Sequence, residues 1–172
     1  VANPQPITDP SNQRVLERLR DAIRHGPVQN IEETWMRGDG AARDFTFAAA
    51  RLGAKTAMLG AVGDDLFGKS LRDVLKANGA DASGVYVVRG QTTGVAVIQV
   101  AEGDNAITGA AGANARFSRA MVTRRPRRGE IWVAQFETPL STTEAIFRQA
   151  SRAGARTILN LAPMVPFPKR LM

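Results

Sequence analysis

The chain of 172 residues has no cysteine and a single histidine, His25. The first absence excludes disulfides, thiolate metal sites and a cysteine nucleophile. The second argues against a histidine-rich metal site or a Ser-His-Asp triad, and no metal ligand is assigned. No apolar run approaches the ~20 residues that span a bilayer. No signal-peptide pattern opens the chain, and the expectation is a cytoplasmic protein with no membrane partner. Aromatic residues are only 6% of the chain and lysines only 4 of its 23 cations, so its positive charge is almost entirely arginine.

What is present describes a folded protein. Hydrophobic residues make up 44% and charged residues 23%, close to globular averages and enough for a sizeable core. The net charge is +7. Most cations are scattered, but Arg124, Arg125, Arg127 and Arg128 cluster around Pro126, with Arg116 and Arg119 just upstream. Two readings stay open: a solvated loop, or a contact for phosphate or nucleic acid. No aromatic side chain interleaves the cluster, which argues against a base-stacking platform.

Residues 1–10 hold three prolines and read as a tail, followed by a helix to about His25 that Gly26-Pro27 stops. Residues 28–40 show no clear pattern, apart from a turn at Gly38-Asp39-Gly40. Helices are expected over 41–52, 66–77 and 141–153, the last with Ser141 and Glu144 as a capping box. Strands are expected over 56–62, 85–89, 93–101, 106–110, 131–136 and 156–161, with a hairpin connection at 102–105. Asp64 and Asp65 read as carboxylates at a helix start. Trp35 and Trp132 read as core or interface residues rather than sugar-stacking platforms. Strand–helix–strand order recurs at 56–89 and 131–161, the pattern of a parallel sheet with helices on its faces.

Several segments then resemble the ribokinase (PfkB-type) family of carbohydrate kinases. They begin with Ala48-Ala49-Ala50-Arg51-Leu52-Gly53-Ala54 and Gly60-Ala61-Val62-Gly63-Asp64-Asp65-Leu66-Phe67-Gly68. Thr92-Thr93-Gly94-Val95-Ala96 is similar to the start of the family's substrate lid, and Gly112-Ala113-Asn114-Ala115 to the segment after it. Gln135-Phe136-Glu137-Thr138-Pro139-Leu140 and Asn160-Leu161-Ala162-Pro163 complete the likeness, which runs over about 40–168. The resemblance implies a three-layer α/β/α fold with a parallel sheet and a small antiparallel lid inset at about 94–110. It also implies that the fold is truncated, with residues 1–38 unassigned and 39–172 forming a partial domain.

By the same resemblance, Gly40, Asp44 and Glu137 bind the sugar, and Asn160 lies near the phosphates. Two departures qualify this. Where the family has Gly-Gly-x-Gly-x-Asn, this chain has Asp39-Gly40-Ala41-Ala42-Arg43-Asp44. The added Cβ atoms crowd a backbone approach, and an ionised Asp44 accepts hydrogen bonds but cannot donate them. The family's Gly-Ala-Gly-Asp segment, which carries the anion hole and general base, has no counterpart, so no catalytic residue is assigned. ATP and Mg are expected only if the missing half is supplied. The implied function is a sugar kinase relative, inactive alone. The alternative is a non-catalytic structural or partner-binding component, within a larger or ribonucleoprotein assembly. Self- or hetero-association through the lid strands or an exposed sheet edge is expected in either case.

Overall fold

The computed structural model describes residues 28–31, 41–101, 104–162, 166 and 168. Its element order is β1 (Val28–Ile31), α1 (Ala41–Arg51), β2 (Thr56–Gly63), α2 (Leu66–Ala77), β3 (Asp81–Val88), β4 (Val95–Ala101), β5 (Asp104–Ala110), β6 (Ile131–Ala134), α3 (Leu140–Arg152) and β7 (Arg156–Leu159). Two short 3-10 turns, Gly112–Arg116 and Arg119–Met121, lie between β5 and β6.

Five strands form one sheet in the order β3-β2-β1-β6-β7, and every neighbouring pair is parallel. Alternation along the strands decides which layer each residue meets. From β2 and β6, Leu59, Ala61, Trp132 and Ala134 point to one face. There they pack with Ile146, Phe147 and Ala150 of α3 and with Ala113, Phe117 and Val122 of the 112–122 segment. Met58 and Val62 point the other way, against Leu75 of α2 and Phe47 of α1. Helices therefore cover both faces, which is the three-layer arrangement expected. β2 is buried at all eight positions, the continuous apolar character of a strand covered on both sides.

β4 and β5 stand apart as an antiparallel hairpin, with Val95 opposite Ala110 and Ala101 opposite Asp104. The expected antiparallel inset is therefore present. Asp104 and Asn105, expected in its connection, belong to β5 instead.

The largest departure from the sequence reading is β1. It lies inside the first 38 residues, where the sequence pattern gives only a tail and a helix. Val28 pairs with Thr56 on one side and Ile131 on the other, so β1 is the middle strand of the sheet. Val28-Gln29-Asn30-Ile31 is four residues long with two poor strand formers at its centre; tertiary pairing on both edges overrides that local preference. The helix expected up to His25, together with Trp35, lies outside the described residues.

Smaller corrections have similar causes. β3 begins four residues earlier than expected, because Asp81-Ala82-Ser83-Gly84 is held by β2 rather than by its own propensity. The Ser141–Glu144 capping box does not form. α3 starts at Leu140 behind Pro139, whose carbonyl accepts from Thr142 N at 2.8 Å and Thr143 N at 3.3 Å. Glu144 instead accepts from Arg148 at 2.6 Å, one helical turn along.

Trp132 is the largest fully buried side chain among the described residues, and its Nε1–H donates to Glu130 Oε2 at 3.0 Å. Truncating it removes the filling of one face and a partner of a buried carboxylate. Trp132→Ala is expected to lower unfolding stability by about 3–5 kcal/mol in a urea titration.

Candidate functional site

In an open parallel sheet, ligands bind beyond the carboxyl ends of the strands. Here that edge is formed by residues 64–65 after β2, 89–91 after β3, 135–138 after β6 and 160–162 after β7. The last two segments stay paired beyond the sheet. Asn160 N donates to Ala134 O at 2.8 Å and Phe136 N to Ala162 O at 2.9 Å. The Asn160 side chain donates to Gln135 Oε1 at 3.0 Å. Gln135 and Asn160 are thus held side by side.

Glu137 is half-buried two residues further on. Its neighbours fix it from behind. Phe136 and Thr138 are buried, and the Thr138 hydroxyl lies 3.3 Å from that of Thr143 in the first turn of α3. A carboxylate at a strand end beside a helix start has the chemistry to accept hydrogen bonds from ligand hydroxyls. The structure therefore brings Glu137 and Asn160 to one crest. Asp44 is the fourth residue of α1, the helix that crosses from β1 to β2. Gly40 lies outside the described residues.

At the β2 end of the same edge, the hairpin is rooted by a compact polar knot. Asp65 caps α2 by accepting from Gly68 N at 2.8 Å through Oδ1. Its Oδ2 accepts from Thr93 N at 2.8 Å, and the Thr93 hydroxyl donates to Oδ1. The same hydroxyl accepts from Gly63 N at 3.0 Å. Thr93 is buried, so these groups satisfy one another away from water. The glycines are there because of close approach. A Cβ on Gly63 would lie 2.3 Å from Gln91 O, and one on Gly68 2.3 Å from Gly63 O. Gly112, at φ +51°, would place a Cβ 2.5 Å from Thr92 O.

Asp64 accepts from Gly90 N at 3.1 Å and ties the end of β3 to the same knot. Both aspartates thus serve the backbone, as a helix-start reading implies. The reach of Asp65 to Thr93, 28 residues away, is what sequence reasoning missed. Thr93 carried a signal only as part of Thr92-Thr93-Gly94. A hollow of about 610 Å³ beside α2 includes Asp64 and Asp65 in its lining. Neither Glu137 nor Asn160 lines it, and both aspartate carboxylates are already engaged.

Partial burial pushes the Asp65 carboxyl up, but the hydrogen bonds from the Thr93 hydroxyl, Thr93 N and Gly68 N outweigh it and hold it below the ordinary 3.8. Because the folded value is depressed, the knot's stabilisation is fully present above the ordinary value. It is lost as pH falls through the folded one. Asp65→Ala is expected to cost about 1–2 kcal/mol at neutral pH, as for loss of a helix cap. It is also expected to flatten the decline of stability below the ordinary carboxylate range, as read from urea titrations across pH.

Comparison with known proteins agrees with this architecture. The family model for pfkB family carbohydrate kinases matches residues 11–166. The chain is 38% identical over 121 residues to a ribokinase of Haemophilus influenzae, covering 67% of this chain and 39% of that protein. It is 35% identical over 122 residues to a ribokinase of Bacillus subtilis, covering 69% and 42%. The chain thus spans about two fifths of the length of these curated relatives. Among solved structures, ribokinase from Cryptococcus neoformans in complex with ADP superposes with a TM-score of 0.67 at 25% identity, covering 82% of this chain and 52% of that one. Ribokinase from Arabidopsis thaliana complexed with ribose and ATP gives 0.66 at 23% identity, covering 86% and 57%, and supports the fold. The match runs through the sheet, the hairpin and the crest bearing Glu137 and Asn160, and on this evidence the chain belongs to the pfkB family of carbohydrate kinases.

Proposed function

We propose that this chain is the sugar-binding and lid portion of a kinase that phosphorylates a sugar hydroxyl, with ribose as the sugar. The observation that carries the reading is spatial. The hairpin rooted at Asp65 and Thr93 leaves the same carboxyl edge of the sheet that presents Glu137. A hairpin fixed at its base beside a hydroxyl-accepting carboxylate is suited to cover a bound polyol and exclude water from it. The choice of ribose rests on the relatives, which are ribokinases.

In this reading, Glu137 accepts from ribose hydroxyls. Asn160, oriented by Gln135, borders the side on which the phosphoryl group arrives. Gly40, just before α1 in the sequence, and Asp44, in its first turn, contribute to the same site, and Asp44 as an acceptor replaces the family's amide. The glycine-rich 109–112 stretch is not a phosphate cradle. Gly109 pairs with Ala96 inside the hairpin, and Gly112 packs under Thr92 O. Among the described residues no group of three or more acidic or histidine side chains converges on a metal position. No step of phosphoryl transfer is assigned to the described residues. Transfer needs positioning and charge neutralisation from a nucleotide-binding portion.

Calorimetric titration with ribose tests this. Saturable binding is expected, weakened about 10- to 100-fold by Glu137→Ala, the loss that follows removal of a charged hydrogen-bond acceptor. No ribose phosphate should form when the chain alone is given ATP and Mg. Absence of binding by the folded chain, or binding indifferent to Glu137, would contradict the sugar site. Turnover by the chain alone would contradict the need for a nucleotide portion.

A further inference from the structure

Among the described residues, the surplus of positive charge lies on one edge, opposite the candidate site. Helices that cross between parallel strands run back, so their carboxyl ends gather at the strands' amino ends. Arg51, Lys76 and Arg152 close the three described helices there. Lys55 and Arg156 stand at the starts of β2 and β7. Arg124, Arg125, Arg127 and Arg128 lie in the loop that enters β6 from the same side.

Among the described residues, the acids at this edge are Asp81 and Glu130. Asp81 is paired with Arg124 at 3.3 Å, and Glu130 is buried. Nine cations against these two acids leave a surplus of seven, which equals the net charge of the whole chain. The remaining residues balance. The 27 residues before β1 bring four arginines and three acids, so they supply no neutralising charge.

The loop is also pinned. At one end the Arg124–Asp81 pair ties it to the start of β3; at the other the Arg128 stem lies beside Gly154, just before β7. These contacts fall at the starts of the two outer strands of the sheet. Glu130 holds it from inside, accepting from Arg127 N and Trp132 Nε1, each at 3.0 Å, through the same carboxylate oxygen. Arg156 N donates to Glu130 O at 2.9 Å and ties β7 to the same residue. The exposed guanidinium groups are therefore carried on a fixed frame.

We propose that this amino edge of the sheet binds the phosphate backbone of a double-stranded nucleic acid. Helix dipoles account for single cations at helix ends but not for the four arginines of the loop. Seven of the nine cations are arginine, whose planar fork matches phosphate oxygens. Among the described residues, Leu52 is the one large exposed apolar side chain at this edge, whereas a protein interface needs a buried apolar or aromatic centre. With no aromatic group beside the arginines, the contact is to phosphates and is independent of base sequence.

The test is fluorescence anisotropy with a labelled DNA duplex of about 20 base pairs. About five phosphate contacts predict an affinity that falls several hundredfold between about 50 and 200 mM salt. Arg125→Glu is expected to weaken binding at least about tenfold at the lower salt, and Arg89→Glu, the same charge change at the opposite edge, by less than about twofold. Circular dichroism should show both variants folded. Failure to bind at the lower salt, or equal losses in the two variants, would overturn the proposal. So would displacement of the duplex by polyglutamate as readily as by unlabelled duplex, which would mark the edge as a surface for acidic protein.

Discussion

The carboxylate of Asp65 holds together three parts of the chain. It ends β2, starts α2 and receives the backbone and side chain of Thr93 at the foot of the β4–β5 hairpin. Each hydrogen bond is modest when net of water, but a buried, mutually satisfied set is far more costly to break than to leave alone. Gly63, Gly68 and Gly112 make the knot possible, since a side chain at any of them would strike backbone atoms within 2.5 Å. The position of the hairpin over the carboxyl edge follows from this constraint. So does the edge on which a ligand would be covered.

From that root the fold divides its labour between two ends. The carboxyl edge carries Glu137, the Gln135–Asn160 pair and the hairpin, groups suited to a neutral polyhydroxylated ligand. The amino edge carries the arginine loop and the surplus charge. The separation is a consequence of parallel topology: every crossover returns the chain to the amino edge, so helix ends and strand starts accumulate there. The family assignment concerns the first end, and the second is a property of this chain's own residues.

Much of this was legible in the sequence, and for identifiable reasons. The run 56–62, the helix 66–77 and the alternation of 93–101 follow local apolar periodicity, and all three appear as elements. Trp132 was legible as core because it sits in an apolar run. β1 was not, because a four-residue strand with Gln29 and Asn30 at its centre has no pattern of its own; β2 and β6 make it a strand. The Asp65–Thr93 bond was hidden by its 28-residue separation, since a helix cap and a hairpin foot look unrelated until the sheet brings them together. The Ser141–Glu144 capping box had the right spacing and still failed, because Pro139 offers its carbonyl to the first turn and Arg148 takes Glu144.

The central claim is that the hairpin root and the Glu137 crest form one ligand site. Backbone amide NMR with ribose added in steps tests it most directly. The account predicts that shifts move together, with one common saturation, at 135–137 and 160–162 on the crest and at 93–95 at the hairpin foot. Shifts confined to one of these regions, or absent from both while the chain is folded, would contradict it.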